Sequence, residues 1–133
     1  MQSRPFPSIL LVLLVAIAGV NAFAEYYHWY WLMRWFDMPM HFAGGVWVAG
    51  TVLWWRFFSE ELTSLPSTKA IFAWAIGGAI AVGLAWEVYE AVVSYLTVGH
   101  MNDILDTIGD LVLDTLGGIV AAGILWVRTN NKQ

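Results

Sequence analysis

Apolar residues fall into four long runs, at about 7–24, 38–58, 70–98 and 104–127, with short polar stretches between them. Each run is close to or above the roughly 20 helical residues that cross a hydrocarbon core of about 30 Å. An open strand would leave backbone N–H and C=O groups unpaired in lipid, so the runs predict helices. The expected fold is all-α: an integral membrane bundle of four transmembrane helices forming a single domain over 1–133. Between the first two runs, residues 25–36 read EYYHWYWLMRWF. Tyrosine and tryptophan suit the headgroup layer, so this stretch predicts an interfacial segment, with an aromatic belt favoured over a cofactor stacked on the rings.

Composition agrees with the pattern. Hydrophobic residues make up 59% of the chain and charged residues only 12%, against about a quarter in soluble domains. With no cysteine, disulfides and thiolate metal sites are excluded. The first run has a competing reading: Arg4, the apolar stretch from Ile9 and Ala22-Phe23-Ala24 imitate a secretory signal. We expect it to be retained as a helix.

The basic residues predict an orientation. With four crossings, Arg4, Arg56, Lys69, Arg128 and Lys132 share one side and Arg34 alone lies on the other. Positive charge is retained on the cytoplasmic side, so both termini are expected there. The expected location is a membrane crossed several times, and the resemblance given below implies the bacterial inner (cytoplasmic) membrane.

That topology gives the acids their meaning. Glu60, Glu61 and Glu25 fall in solvated segments, but Asp37, Glu87, Glu90, Asp103, Asp106, Asp110 and Asp114 all fall in the outer half of the membrane or at its edge. At 1.5 Å per residue, Asp110, Asp114, Glu90 and Glu87 lie about 10 to 16 Å from the outer ends of their helices. Spacings of three and four put Asp103, Asp106, Asp110 and Asp114 on one helical face and Glu87 with Glu90 on another. Asp37 and His41 share the opening turn of the second run. Asp103 and Asp106 also have a structural explanation, since a carboxylate caps a helix start and suits its positive dipole end. No cap explains Asp110, Asp114 or Glu87, and a charge at that depth costs at least about 2.5 kcal/mol. His28 and His100 read as interfacial residues without a role.

No lysine or arginine lies in the outer half of a predicted helix, and Arg34 is the only base nearby. Several carboxylates in a low-dielectric site do not all stay ionised alone, so protons or a bound cation must balance them. Oxygen donors with at most one imidazole suit Mg²⁺, Mn²⁺ or Ca²⁺ better than Zn²⁺ or Fe²⁺. The expected metal ligands are Asp37, His41, Glu87, Glu90, Asp106, Asp110 and Asp114. Gly44-Gly45, Gly77-Gly78, Gly83 and Gly117-Gly118 read as packing positions, as does Gly118 with Ala122, because small residues let membrane helices approach closely.

Three stretches carry a family resemblance: DMPMHFAGG at Asp37 to Gly45, WEVYE at Trp86 to Glu90, and DILDTIGDLVLDTLGG at Asp103 to Gly118. Together they resemble the uncharacterised bacterial YjdF-type inner-membrane family, itself similar to VanZ-like membrane proteins. The resemblance implies that Asp37, His41, Glu87, Asp106, Asp110 and Asp114 are the motif positions. Through VanZ it also implies envelope lipids or lipid-linked wall precursors as a ligand class.

Three functions follow from the residues. A cation in the pocket could bind or process a phosphate-bearing lipid, with the metal holding the phosphate in place of Arg or Lys. An accessory subunit of a larger membrane complex, or a homo-oligomer, would instead use the acids in buried hydrogen bonds. Proton or cation translocation would use them as a ladder, although IVAAGILWV in the inner half offers no relay. No basic cluster supports nucleic-acid binding.

Overall fold

The computed structural model describes residues 4–59, 65–99 and 103–130, so Glu60, Glu61, His100 and Lys132 lie outside the described residues. The described elements are all helical: α1 (Ser8–Tyr26), the short α2 (Trp29–Leu32), α3 (Asp37–Leu53) continued by a π-helical turn (Trp54–Phe58), α4 (Thr68–Val98) and α5 (Ile104–Asn130). Three of them, α1, α4 and α5, are long and apolar enough to cross a membrane. The second apolar run does not make one long α-helix, because α3 stops after 17 residues and the chain passes into the π-helical turn. Within that turn the Arg56 guanidinium lies 5.3 Å from the ring centroids of both Phe57 and Trp74.

Local signals set the helix ends. Ser67 caps α4, its hydroxyl accepting from the Ala70 N–H at 3.3 Å. Gly99 closes α4 with φ 77°, a left-handed conformation open to glycine, and its N–H donates to the Tyr95 carbonyl. Asp103 caps α5, its carboxylate accepting from the Leu105 N–H at 3.0 Å.

Helices α3, α4 and α5 pack on one another. At one end they share an apolar core of Ala49, Leu53, Ile71, Ala75, Ala121 and Ala122. Four of these six are alanine, and small side chains let the helix axes come close. Helix α1 sits against α3, held by the Trp47 indole N–H donating to the Leu10 carbonyl at 2.9 Å and by Phe6 edge-on to Trp54. The Arg4 N–H also donates to the Ser59 carbonyl. Ala24 is the only buried residue of α1. Leu11, Val12, Val15 and Phe23 of α1, and Val82, Val88, Val92 and Leu96 of α4, stay exposed. So much open apolar surface would be costly in water but is matched by acyl chains.

Candidate functional site

The end of the bundle opposite the alanine core is polar. Helix α3 starts at Asp37, whose carboxylate suits the positive end of the helix dipole. One turn on, His41 points into the bundle and is 93% buried by its 7% exposure. Three carboxylates surround its ring. Nε2 lies 3.6 Å from Asp37 Oδ1 and 3.8 Å from Asp110 Oδ2, while Nδ1 lies 3.5 Å from Asp114 Oδ2. Asp110 and Asp114 are successive inward positions on α5, both buried. From α4, Glu87 is buried and Glu90 half-buried beside the same ring.

Glycine makes this meeting possible. A Cβ on Gly45 would run into the backbone carbonyl of Asp114, and one on Gly117 into the Phe42 carbonyl. The backbones of α3 and α5 therefore touch directly beneath the acids. On α4, Gly83 leaves the space that the Asp114 carboxylate fills.

Two donor sets result. Ligand atoms of Asp37, His41 and Asp110 lie within 4.8 Å of one another, and so do those of His41, Glu87 and Glu90. The Nε2 spacings of 3.6 and 3.8 Å are long for hydrogen bonds. They match a pair of ligands on one ion, since donors about 2.1 Å from a metal sit roughly 3 to 4 Å apart. The Glu87 Oε1 atom is buried with no hydrogen-bond partner among the described residues. An orphaned carboxylate oxygen is costly to bury, so it needs a proton or a cation. Among the described residues, no lysine or arginine forms an ion pair with these acids.

Six of the seven expected ligands come together here. Asp106 does not join either set: it is exposed in the first turn of α5. Asp114 reaches the ring nitrogen opposite the one facing Asp37 and Asp110, and so lies outside both donor sets. Asp103 serves as a cap.

Sequence reasoning did not single out Asn21 and Tyr30. The Tyr30 hydroxyl donates to Asn21 Oδ1 at 2.6 Å, tying α2 to α1. Asn21 is an isolated polar residue in an otherwise apolar run, which was the available signal. Tyr30 also packs edge-on against Phe36, the residue before Asp37. Burial, reinforced by the charges of Asp37, Glu25 and Glu90, pushes its phenol up to about 12. The neutral hydroxyl that makes the bond is therefore retained until pH approaches that value. An absorbance titration should show a tyrosine step near pH 12, and Tyr30→Phe should remove it. No step near pH 12 in the unaltered protein would show that Tyr30 is not enclosed this way.

The sequence matches, over residues 2–131, the family described as predicted membrane protein (DUF2238). The chain belongs to that family. The match covers every element described above, including the helices that carry the acids and His41. Neither the curated proteins nor the solved structures contain a match to this chain. The chain is thus a helical membrane protein with a buried acid–histidine cluster.

Proposed function

We propose that the cluster holds a divalent cation, Mg²⁺, Mn²⁺ or Ca²⁺, in the outer half of the membrane, and that the cation binds a phosphate-bearing envelope lipid. The observation that carries this reading is His41 Nε2 facing two carboxylates at ligand-to-ligand spacing, beside a buried Glu87 oxygen with no partner among the described residues. Asp37, His41 and Asp110 are the first ligands. Asp114 accepts from the Nδ1 proton and so holds the Nε2 lone pair toward the ion, the usual service of an outer carboxylate to a metal-bound histidine. Half-buried Asp37 and Glu90 and exposed Asp106 leave the cluster approachable from its own end of the bundle. A lipid phosphate arriving there would meet a cation, with acids around it that repel it unless the metal is bound.

The same reading takes α3 with its π-helical turn as a fourth crossing, both termini as cytoplasmic and the membrane as the bacterial inner membrane. It takes the three motif stretches as kinship with YjdF-type and VanZ-like proteins. The second reading is a non-catalytic subunit, in which a protonated His41 and the acids form a buried ion-pair network. The 3.5 Å contact of Nδ1 with Asp114 fits both.

Elemental mass spectrometry of the detergent-purified chain, alone and with phosphatidic acid or inorganic phosphate, tests the proposal. A near-stoichiometric divalent ion, with phosphatidic acid retained only when the ion is present, is the expected result. Retention of inorganic phosphate alone would move the ligand from lipid to free anion. No ion after dialysis against each of the three metals would leave the ion-pair reading.

A further inference from the structure

The two donor sets share His41, and His41 cannot serve both. A neutral imidazole has one lone pair for coordination, its other nitrogen carrying the proton. With the Nδ1 proton given to Asp114, as the cation reading has it, the Nε2 lone pair faces Asp37 and Asp110. That commits the ring to the α3–α5 side of the pocket. On the α4 side, Glu87 and Glu90 remain a pair of carboxylates one turn apart, with oxygens within 4.8 Å of each other and of the ring. The buried, unpartnered Oε1 belongs to this second pair.

Charge leads the same way. Asp37, Asp110, Asp114, Glu87 and Glu90 are five carboxylates around one imidazole, and a single divalent ion offsets only two of them, leaving the rest to protons or a second ion. Each donor set brings two carboxylates, the charge that one divalent ion matches.

The geometry points to two divalent cations side by side: one held by Asp37, His41 Nε2 and Asp110, the other by Glu87 and Glu90. The inference rests on the cation reading above and adds a second ion to it. Two adjacent divalent ions clamp a phosphate through two of its oxygens. Phosphate monoesters and diesters both keep at least two free oxygens, so either kind of headgroup meets that demand. The remaining positions on the second ion are left to water or to those oxygens.

Mn²⁺ supplies the test, because it can be both counted and seen by electron paramagnetic resonance. The full chain in detergent, saturated with Mn²⁺ and freed of excess, is expected to hold two ions with the broadened spectrum of a magnetically coupled pair. E87Q/E90Q is expected to hold one ion, with the separated hyperfine lines of a lone Mn²⁺. One ion per chain in the unaltered protein would overturn the pair while leaving the cation reading standing. No bound Mn²⁺, with neither Mg²⁺ nor Ca²⁺ retained in its place, would overturn both. The count on the unaltered protein decides, even where the variant fails to fold.

Discussion

Asp110→Asn is expected to remove Mn²⁺ binding at the His41 site, and Asp114→Asn to weaken it by about 10- to 100-fold. The difference follows from which nitrogen each acid faces. Asp110 Oδ2 sits by Nε2 and supplies one of two anionic ligands, whereas Asp114 Oδ2 sits by Nδ1 and acts through the ring. Asp103→Ala, which removes only a helix cap, should leave the affinity unchanged. Titration of the detergent-purified variants with Mn²⁺ gives all three values. If Asp114→Asn were as damaging as Asp110→Asn, Asp114 would be a ligand and the assignment of the two nitrogens would be wrong.

The same Asp110→Asn protein separates the two functional readings when no metal is added. In a cation site the apo protein carries surplus buried carboxylates, so removing one should leave thermal stability unchanged or higher. In a structural network, taking one partner from a buried ion pair costs about 3–5 kcal/mol. A large loss of stability in the metal-free variant would therefore favour the subunit reading.

Gly45→Ala should destabilise the bundle by about 1–3 kcal/mol, the usual cost of forcing extra atoms into a packed interior. Its new Cβ would meet the Asp114 backbone, which cannot swing aside as a side chain could. Relief requires α3 and α5 to separate, and that carries Asp114 away from His41, so cation affinity should fall with stability. Gly44→Ala is the internal control, since nothing lies within 4 Å of a Cβ there. Thermal unfolding of the two variants in detergent measures the contrast. Equal tolerance of both would mean that the α3–α5 crossing is looser than the structure has it.

Helical class and the location of the acids were legible in the sequence because both are local properties. A run of apolar residues predicts a helix whatever it packs against, and a fixed rise per residue converts position into depth. On that basis Asp110, Asp114, Glu87 and His41 could be placed together before any packing was known. The structure buries all four at one end of the bundle.

What the sequence could not decide depends on where neighbouring helices begin and how closely they cross. Asp106 shares a helical face with Asp110 yet is exposed. Asp110 already faces His41 in the opening turns of α3, and a turn further out little of that helix is left to cover Asp106. The second run read as one unbroken crossing, but π-helical bonding takes over at Trp54, a change that apolar periodicity does not register. The glycine pairs were recognisable as packing positions, yet Gly44 meets nothing while Gly45 meets Asp114. Which member of a pair faces a neighbour depends on helix rotation, and four apolar runs do not specify it. The same rotation decides that His41 meets Asp110 and Asp114 of α5. Sequence alone determined that acids and a histidine would share one end of a helical membrane bundle; only the crossing of α3, α4 and α5 decided which of them meet across helices, because the contacts of His41 with Asp110 and Asp114 join residues far apart in the chain.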